Sequence, residues 1–400
     1  MKIVIDDKIP FIRGTFEPFA EVVYAPGRSI DARLVADADA LIVRTRTQCN
    51  RSLLESSRVK IVASATIGFD HIDIDWLNEN GIRWANAPGC NSGSVMQYLT
   101  SLLFFLAEKH SLDLPSLTLG IAGVGNVGSK VERAARALGM RVLLNDPPRQ
   151  RREESRGLQT EGYRRGTKTH DSDLFTGAGR GGTEFHPLRT LLTDCDIITL
   201  HVPLTREGRD KTYHLLELHN LSEMKKDALL INTSRGEVVD NIALRESLEK
   251  GLLRGASLDV WEGEPVADPR LIAMADIATP HIAGYSVDGK ANATISSVRV
   301  VAETLGIPLE HWTPAELPAP EAPVIDLSGL NDNSLDLVAR AVWHTYPIAG
   351  DDTLFRKERE KFEYLRDNYR IRREFGSYSV RTDDSRAAQI MKDLGFKIIK

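Results

Sequence analysis

Three side chains that together could oxidise a hydroxy acid follow apolar segments in the second half of the sequence. Arg235 follows ALLINTS, Glu264 follows SLDVWEG, and His281 follows DIATP. A guanidinium binds a carboxylate through two parallel hydrogen bonds. An imidazole can take the proton of a hydroxyl, and a neighbouring glutamate fixes its tautomer and raises its pKa. We therefore predict that Arg235 clamps a carboxylate and that His281 is a base held by Glu264.

Each of these residues has an ordinary structural explanation when it is taken alone. An arginine at a strand end commonly forms a surface ion pair, a histidine can be a satisfied structural group, and a glutamate is usually solvated. The three become a coherent set because open α/β sheets bind ligands at the carboxyl ends of their strands. No serine or cysteine signature of a nucleophile competes with them in the sequence.

A glycine-rich segment, GVGNVG, lies between the apolar stretch LTLGIA and the helical stretch SKVERAARALG. This order fits the GxGxxG unit that binds dinucleotides. Gly123 would form the tight turn, Gly125 would let the backbone approach the pyrophosphate, and Gly128 would let the helix pack on the strand. Asp146 ends the next strand, 18 residues after the third glycine. There it can bind ribose hydroxyls and repel a 2′-phosphate. We predict that the cofactor is NAD.

The elements that must position these residues are visible as alternating apolar runs and helical patterns. Buried strands are indicated at 2–5, 40–43 and 60–64, followed by a long helix over about 93–110. A second series of strands and helices runs from TLGIAGVG to DIATPHI. The sequence therefore predicts an α/β fold with two doubly wound parallel-sheet domains and a cleft between them.

Two segments interrupt this rhythm. Residues at about 147–186 are polar and rich in Arg, Gly and Thr, so we expect a partly flexible surface insertion, with a lid or interface element as the alternative. The proline-rich segment 313–326 indicates a linker into a third, C-terminal unit of mixed helices and strands. This last unit carries little cleft chemistry, and we expect it to serve oligomerisation.

Composition restricts the class of protein. The chain has 400 residues, 42% hydrophobic and 27% charged, with a net charge of −5, which gives no reason to expect nucleic acid as a partner. The three cysteines form no CxxC pair, so neither a disulfide framework nor a metal site is indicated. The N-terminus lacks the pattern of a signal peptide, and the longest apolar run is too short to cross a membrane. We expect a cytoplasmic protein.

The segment NTSRGEVVDNIALRESLEKGLLRGASLDVWEGEP, followed by TPHIAG, resembles the D-isomer-specific 2-hydroxyacid dehydrogenases. The resemblance covers the first 300 residues or so, and the arginine, glutamate and histidine of that family fall on Arg235, Glu264 and His281. It implies a substrate-binding (lid) domain, a Rossmann NAD-binding domain and a C-terminal dimerisation domain. These would comprise 1–92 with 286–308, then 93–285, and finally 309–400.

A tyrosine follows HIAG, where many members of the family have a small residue. This HIAGYSVDGKA, with VRTRT, ASATIGFDHID, APGCN and the tail LRDNYRIRREFGSYSV, resembles one branch that oxidises a phosphorylated four-carbon 2-hydroxy acid at C2. The resemblance implies that Thr45, Thr66 and Tyr285 contact the substrate, through hydroxyls suited to its polar chain. Arg44, and with less support from the family pattern Arg46, are the candidates for binding the phosphate. It also implies a homodimer formed through the C-terminal residues.

The same resemblance implies further cofactor contacts in the central segment. These are expected, beside the glycines and Asp146, at Asn126, Val127, Val202, Thr233, Ser234, Arg235, Asp259 and Gly284. Position 202 is valine where some relatives have threonine, so a contact there would be apolar or through the main chain.

Two other functions fit parts of the pattern. One is another D-2-hydroxyacid dehydrogenase, such as a phosphoglycerate dehydrogenase, against which Tyr285 and the tail argue. The other is a dehydrogenase-like corepressor that binds NAD to control its assembly with transcription factors, and the catalytic residues alone do not exclude it. A substrate panel followed through reduced nicotinamide would separate these alternatives.

Overall fold

The computed structural model describes residues 1–162 and 184–400. The chain divides into two compact units. Unit 1 comprises Met1–Tyr98, Gly284–Tyr346 and Tyr369–Lys400, and unit 2 comprises Leu99–Ala283 and Pro347–Asn368.

Unit 1 is built on a five-stranded parallel sheet with the order β2-β1-β3-β4-β5. The strands are β1 Lys2–Asp6, β2 Glu21–Ala25, β3 Ala40–Val43, β4 Ile61–Ser64 and β5 Arg83–Ala85, and the first helices are α1 Ala32–Val35, α2 Arg51–Leu54, α3 Ile74–Glu79 and α4 Ser92–His110. Both faces of this sheet are buried, because alternate strand residues enter two separate apolar cores. Continuous apolar strands are therefore required, as the sequence indicated.

Unit 2 contains a six-stranded parallel sheet with the order β11-β10-β9-β8-β6-β7. The strands are β6 Thr118–Ala122, β7 Arg141–Asn145, β8 Ile197–Leu200, β9 Leu229–Asn232, β10 Gly255–Leu258 and β11 Ile277–Ala278, and the helices are α5 Gly128–Ala137, α6 Pro147–Gly162, α7 Leu188–Asp194, α8 Leu218–Glu223, α9 Asn241–Glu249 and α10 Pro269–Met274. The strand order reverses between β6 and β8, and in open α/β sheets ligands bind at such a switch point. The predicted fold class is confirmed.

The first part of the expected insertion is helical, which the polar composition did not predict. In α6, the backbone N–H of Arg149 binds the Asp146 carboxylate at 2.9 Å, and the Arg149 side chain binds Glu153 one turn later at 2.8 Å. Helix formers and such pairs stabilise a polar helix without a core. At the far end of the insertion, Phe185 forms a parallel bridge to Leu144 beside β7. The intervening residues 163–183 lie outside the described part of the chain.

The C-terminal third adds a second, small sheet to unit 1, with the order β12-β13-β14. Its elements, with the helix that precedes them, are α11 Val287–Leu305, β12 Val324–Asp326, α12 Ser334–Thr345, α13 Ile348–Lys357, α14 Phe362–Asp367, β13 Ser379–Arg381, α15 Ser385–Leu394 and β14 Lys397–Ile398. Neither α4 nor α11, each of 19 residues, nor any other helix in the described ranges is long and apolar enough to cross a membrane.

Helices α13 and α14 belong to unit 2, which differs from the expected single C-terminal domain over 309–400. Phe355 and Phe362 are buried in the core of unit 2. Asp352 accepts a 2.7 Å hydrogen bond from the backbone N–H of Ala278 in β11, which is the edge strand of the sheet. The side chain of Arg356 donates to the carbonyl of Ala275 at 2.8 Å. The segment therefore covers a sheet edge that would otherwise leave backbone groups unpaired.

Candidate active site

The histidine and glutamate predicted to work together form a direct pair in unit 2. His281 Nδ1 lies 2.8 Å from Glu264 Oε2, and the two side chains are only 29% and 22% exposed. The other oxygen, Oε1, accepts a 2.9 Å hydrogen bond from the backbone N–H of Trp261. Burial by itself would raise the pKa of Glu264, but the charge and hydrogen bond of His281, the Trp261 N–H and the charge of Arg366 hold it below its ordinary value. Glu264 is therefore an anion that orients Nδ1 and leaves Nε2 available.

The turn that presents His281 is held in an unusual backbone conformation by a buried aspartate. His281 has φ of 58°, in the left-handed region that non-glycine residues rarely adopt. Asp259 accepts hydrogen bonds from the N–H groups of Ile282 at 2.7 Å and Ala283 at 2.9 Å, and from the Thr279 hydroxyl at 2.6 Å. The Asp259 carbonyl also accepts the His281 N–H at 2.7 Å. Asp259, expected as a cofactor contact, thus has its carboxylate engaged in shaping the histidine turn.

Arg235 begins the loop after β9, and this loop is joined to the loop that carries Glu264. Asn241 binds Glu262 reciprocally, since each backbone N–H donates to the other side chain at 3.2 Å. The Asn241 amide also donates to the carbonyls of Gly236 at 3.4 Å and Val239 at 2.8 Å. A Cβ at Gly236 would lie 2.0 Å from the backbone carbon of Trp261. The two loops therefore pack backbone against backbone.

The glycine segment has the geometry expected of a dinucleotide turn. Gly123 has φ of 89°, and a Cβ there would lie 2.5 Å from the carbonyl oxygen of His201. A Cβ at Gly128 would lie 2.0 Å from the carbonyl oxygen of Gly123, whereas at Gly125 it would meet nothing within 4 Å. Helix α5 begins at Gly128 without a side-chain cap, so the positive end of its dipole is presented to a phosphate. The segment fits NAD in the way the sequence predicted.

Asp146 follows β7, and its carboxylate binds the backbone of the glycine turn. It accepts hydrogen bonds from the backbone N–H of Val124 at 2.8 Å and of Arg149 at 2.9 Å. The Arg149 guanidinium donates to the Val124 carbonyl at 2.6 Å and lies 5.8 Å from the ring of Phe185. Arg149 thus lies beside Asp146, the residue predicted to bind the ribose. The composition of the segment did not reveal this position of Arg149.

The remaining predicted cofactor residues divide between the two units. In unit 2, Thr233 Oγ1 lies 3.4 Å from His201 Nδ1, and both the N–H and the hydroxyl of Ser234 bind the Asn232 side chain. The Val202 side chain packs on the core and lies close to Gly123. Asn126 is exposed in the glycine turn, Val127 directly precedes helix α5, and Gly284 lies in unit 1 against the Asn91 side chain.

The residues expected to contact substrate all lie in unit 1. Arg44 and Thr45 follow β3, and Thr66 follows β4, at the carboxyl edge of the five-stranded sheet. Arg44 Nε lies 3.5 Å from the buried carboxylate of Asp6, so part of its charge is balanced within the protein. Thr45 is exposed and Thr66 is partly exposed. Neither position shows the full burial of a structural hydroxyl.

Tyr285 is placed by aromatic and cationic neighbours from the same unit. Its ring meets the edge of Tyr369 at a centroid separation of 6.0 Å, and Lys290 Nζ lies 5.1 Å from its centroid. Tyr369 follows α14, so the C-terminal segment contributes to the surroundings of this residue. Lys290 lies shortly after Tyr285 in the chain, within the motif that singled out the tyrosine.

One charged residue that acts on the Glu264–His281 pair was not identified from the sequence. Arg366 in α14 contributes to the lowered pKa of Glu264 through its positive charge. Its guanidinium lies 5.8 Å from the ring of Phe362, which is buried in the core of unit 2. The tail contains four arginines between 366 and 373, and nothing in their spacing distinguishes this one.

Comparisons with known proteins match two successive parts of the chain. A family model described as the D-isomer specific 2-hydroxyacid dehydrogenase, NAD binding domain, matches residues 105–177 and 162–283. A second model, described as a domain of unknown function, matches residues 317–395. An erythronate-4-phosphate dehydrogenase of Bacteroides fragilis (strain YCH46) is 46% identical over 382 residues, which cover 95% of this chain and 99% of the relative. The chain belongs to the erythronate-4-phosphate dehydrogenase family.

More distant relatives agree with this assignment. An erythronate-4-phosphate dehydrogenase of Serratia proteamaculans (strain 568) is 39% identical over 400 residues, with 99% of each chain covered. Among solved structures, the D-lactate dehydrogenase of Aquifex aeolicus, complexed with NAD and lactic acid, is 26% identical with a TM-score of 0.57 over 77% of this chain and 96% of its own. The TT0316 protein of Thermus thermophilus is 27% identical with a TM-score of 0.59, covering 79% of this chain and 99% of its own. The predicted family, enzyme class and cofactor are confirmed.

Proposed function

We propose that this protein oxidises 4-phospho-D-erythronate at C2 with NAD, giving (R)-3-hydroxy-2-oxo-4-phosphooxybutanoate for pyridoxal 5′-phosphate biosynthesis. The observation that carries the proposal is the hydrogen bond between His281 and Glu264. The pair belongs to a chain of this family that also has a glycine turn suited to a dinucleotide. The full-length match supports it, because it includes the C-terminal residues as well as the NAD-binding segment.

The catalytic roles follow from what each side chain of unit 2 can do. NAD, when bound, accepts a hydride from C2 of the substrate. His281 takes the proton of the C2 hydroxyl on Nε2, because Nδ1 is directed at Glu264. Glu264 stabilises the imidazolium that results, without becoming protonated itself. Arg235 binds the substrate carboxylate and so fixes C2 relative to the base.

Residues of unit 1 are proposed to bind the rest of the substrate. Thr45 and Thr66 offer hydroxyls to the carbon chain, and Tyr285 offers a phenol. Arg44 is proposed to bind the phosphate with the part of its guanidinium that the ion pair with Asp6 does not use. The exposure of Thr45 and the partial exposure of Thr66 support these roles.

We also propose a cytoplasmic homodimer formed through the C-terminal residues. The small sheet β12-β13-β14 has a short, exposed last strand, and large apolar side chains nearby such as Val324, Leu330 and Ile398 are exposed. An exposed strand edge with apolar neighbours is the kind of surface that a second copy covers. Sedimentation of the full chain should give the mass of a dimer. A monomer at the same concentration would contradict this part of the proposal.

The central test is a substrate panel followed by the absorbance of reduced nicotinamide. 4-Phospho-D-erythronate should be oxidised far faster than unphosphorylated D-erythronate, D-3-phosphoglycerate or D-lactate, and NADP should replace NAD poorly. The His281→Ala variant should lose turnover by a factor of about 10³ or more while it still binds NAD. Preference for phosphoglycerate, or a variant that keeps normal turnover, would contradict the proposed function.

A further inference from the structure

Three polar side chains form a hydrogen-bonded chain behind the hydroxyl of Thr66 in unit 1. His71 Nε2 lies 3.2 Å from Ser64 Oγ, and Ser64 Oγ lies 2.7 Å from Thr66 Oγ1. Thr66 Oγ1 also lies 3.1 Å from the carbonyl oxygen of Gly68. His71 and Ser64 are 5% and 0% exposed, whereas Thr66 is partly exposed. This row of hydrogen bonds therefore extends from the interior of the unit to its surface.

The direction of each hydrogen bond follows from the hydrogens available. The Gly68 carbonyl can only accept, so the single hydroxyl hydrogen of Thr66 is used there. Ser64 must then donate to Thr66, and its oxygen accepts from His71. Burial, partly offset by the charge of Asp70, lowers the pKa of His71, which favours the neutral imidazole. Because the Ser64 hydrogen is used on Thr66, the hydrogen between Ser64 and His71 must be carried by Nε2.

This arrangement leaves Thr66 Oγ1 with an unused lone pair and no unused hydrogen. We infer that Thr66 accepts a hydrogen bond from a hydroxyl of the substrate, and that His71 and Ser64 are positioning residues that fix this polarity. The inference rests on the proposed function, in which Thr66 contacts the substrate. Ionised carboxylate and phosphate oxygens cannot supply the hydrogen.

The polarity identifies which part of the substrate Thr66 recognises. The C2 hydroxyl of 4-phosphoerythronate gives its proton to His281, so the C3 hydroxyl is the donor that Thr66 accepts. Thr66 is then the residue that distinguishes this substrate from shorter or deoxygenated phosphorylated hydroxy acids. D-3-phosphoglycerate, for example, has no free hydroxyl at C3, because its phosphate is there.

The test compares 4-phospho-D-erythronate with its 3-deoxy analogue, 2-hydroxy-4-phosphobutanoate. The native enzyme should prefer the 3-hydroxy substrate roughly tenfold in kcat/KM, the value of one hydrogen bond in a desolvated site. Thr66→Val should lose that preference by slowing only the 3-hydroxy substrate, while Thr66→Ser should keep it. Equal slowing of both substrates by Thr66→Val, or no preference in the native enzyme, would overturn the inference.

The positioning role of His71 has its own test. His71→Leu should reduce the preference about threefold, and His71→Gln, whose amide N–H can replace Nε2–H, should restore it. Nitrogen NMR of the histidine-labelled protein, assigned with the His71→Gln variant, should show His71 protonated on Nε2, and protonation on Nδ1 would overturn the proposed polarity. This measurement needs no substrate. A native enzyme that does not oxidise 4-phosphoerythronate would contradict the proposed function. The NMR result would still show whether the polarity of the Thr66 hydroxyl is as inferred.

Discussion

Replacing Glu264 with glutamine should damage turnover through the tautomer of His281. Glu264 accepts two hydrogen bonds, one from the Trp261 backbone and one from His281 Nδ1. A glutamine has one acceptor oxygen, so one of these N–H groups must face an amide NH₂. If it is His281, the ring proton moves to Nε2 and the base can no longer accept a proton. If it is Trp261, two donors oppose each other in a mostly buried site.

The size of the effect can be worked out from these two contacts. Opposing donors at the Trp261 backbone cost about 1–3 kcal/mol, the usual penalty for an unsatisfied buried group. The imidazolium formed during turnover loses a charge-assisted hydrogen bond, which is worth about 1 kcal/mol more than a neutral one. The sum of about 2–4 kcal/mol corresponds to a fall in kcat of roughly 30-fold to 1000-fold.

The assay is kcat from reduced nicotinamide at saturating NAD and 4-phosphoerythronate, with NAD affinity measured by calorimetry. Glu262→Gln is the matched control, because it makes the same change two residues away and leaves the His281 contact intact. We expect the control to lose less than about tenfold. Combining Glu264→Gln with His281→Ala should cost no more than His281→Ala alone, since the pair acts as a unit. A Glu264→Gln enzyme with kcat within about threefold of the native value would refute this reasoning.

Four further outcomes follow from the same contacts. The pKa of Glu264 lies below its ordinary value of 4.5, so the carboxylate stays charged and bound to His281 above pH 4.5. The ratio of native kcat to Glu264→Gln kcat should therefore decrease only when the pH falls below 4.5. Asp259→Asn presents a donor to the His281 turn and should lower kcat about 100-fold with little change in fold by circular dichroism. Asn241→Ala should loosen the loop that carries Arg235 and so reduce kcat/KM about tenfold, measured with 4-phosphoerythronate. Gly236→Ala should lower the free energy of unfolding by about 1–3 kcal/mol in urea, and an unchanged value would contradict the packing described.

The sequence singled out Arg235, Glu264 and His281 as a set because a parallel sheet strongly constrains where the residues after its strands can lie. Once DIITL, ALLIN and GASL are recognised as buried parallel strands, their carboxyl ends must lie along one edge. Arg235 and Glu264 come just after two of these ends. The contact between Glu264 and His281 does not follow from that placement. It depends on the left-handed backbone at His281 and on the hydrogen bonds of Asp259, which no periodicity reveals.

The surroundings of the site were predicted less well, for a different reason. The apolar positions of α13 and α14 indicate that these helices bury a face, but not which surface covers it. The structure buries Phe355 and Phe362 in unit 2, and this brings Arg366 close enough for its charge to act on Glu264. Long-range packing of this kind is decided by the shape of both partners. The same limit applies to the Ser64–His71 contact, whose members are separated by a loop.

Trp261 contacts the loops that carry the three proposed catalytic residues, which are far apart in sequence. Its backbone N–H binds Glu264, and its indole N–H donates to the Thr279 carbonyl at 2.9 Å, two residues before His281. Its backbone packs against Gly236, next to Arg235, and its ring lies 6.0 Å from that of Phe355. The side chain is 1% exposed, so no water can replace these contacts cheaply. One buried residue therefore contacts the loops that carry all three proposed catalytic residues and also the C-terminal segment.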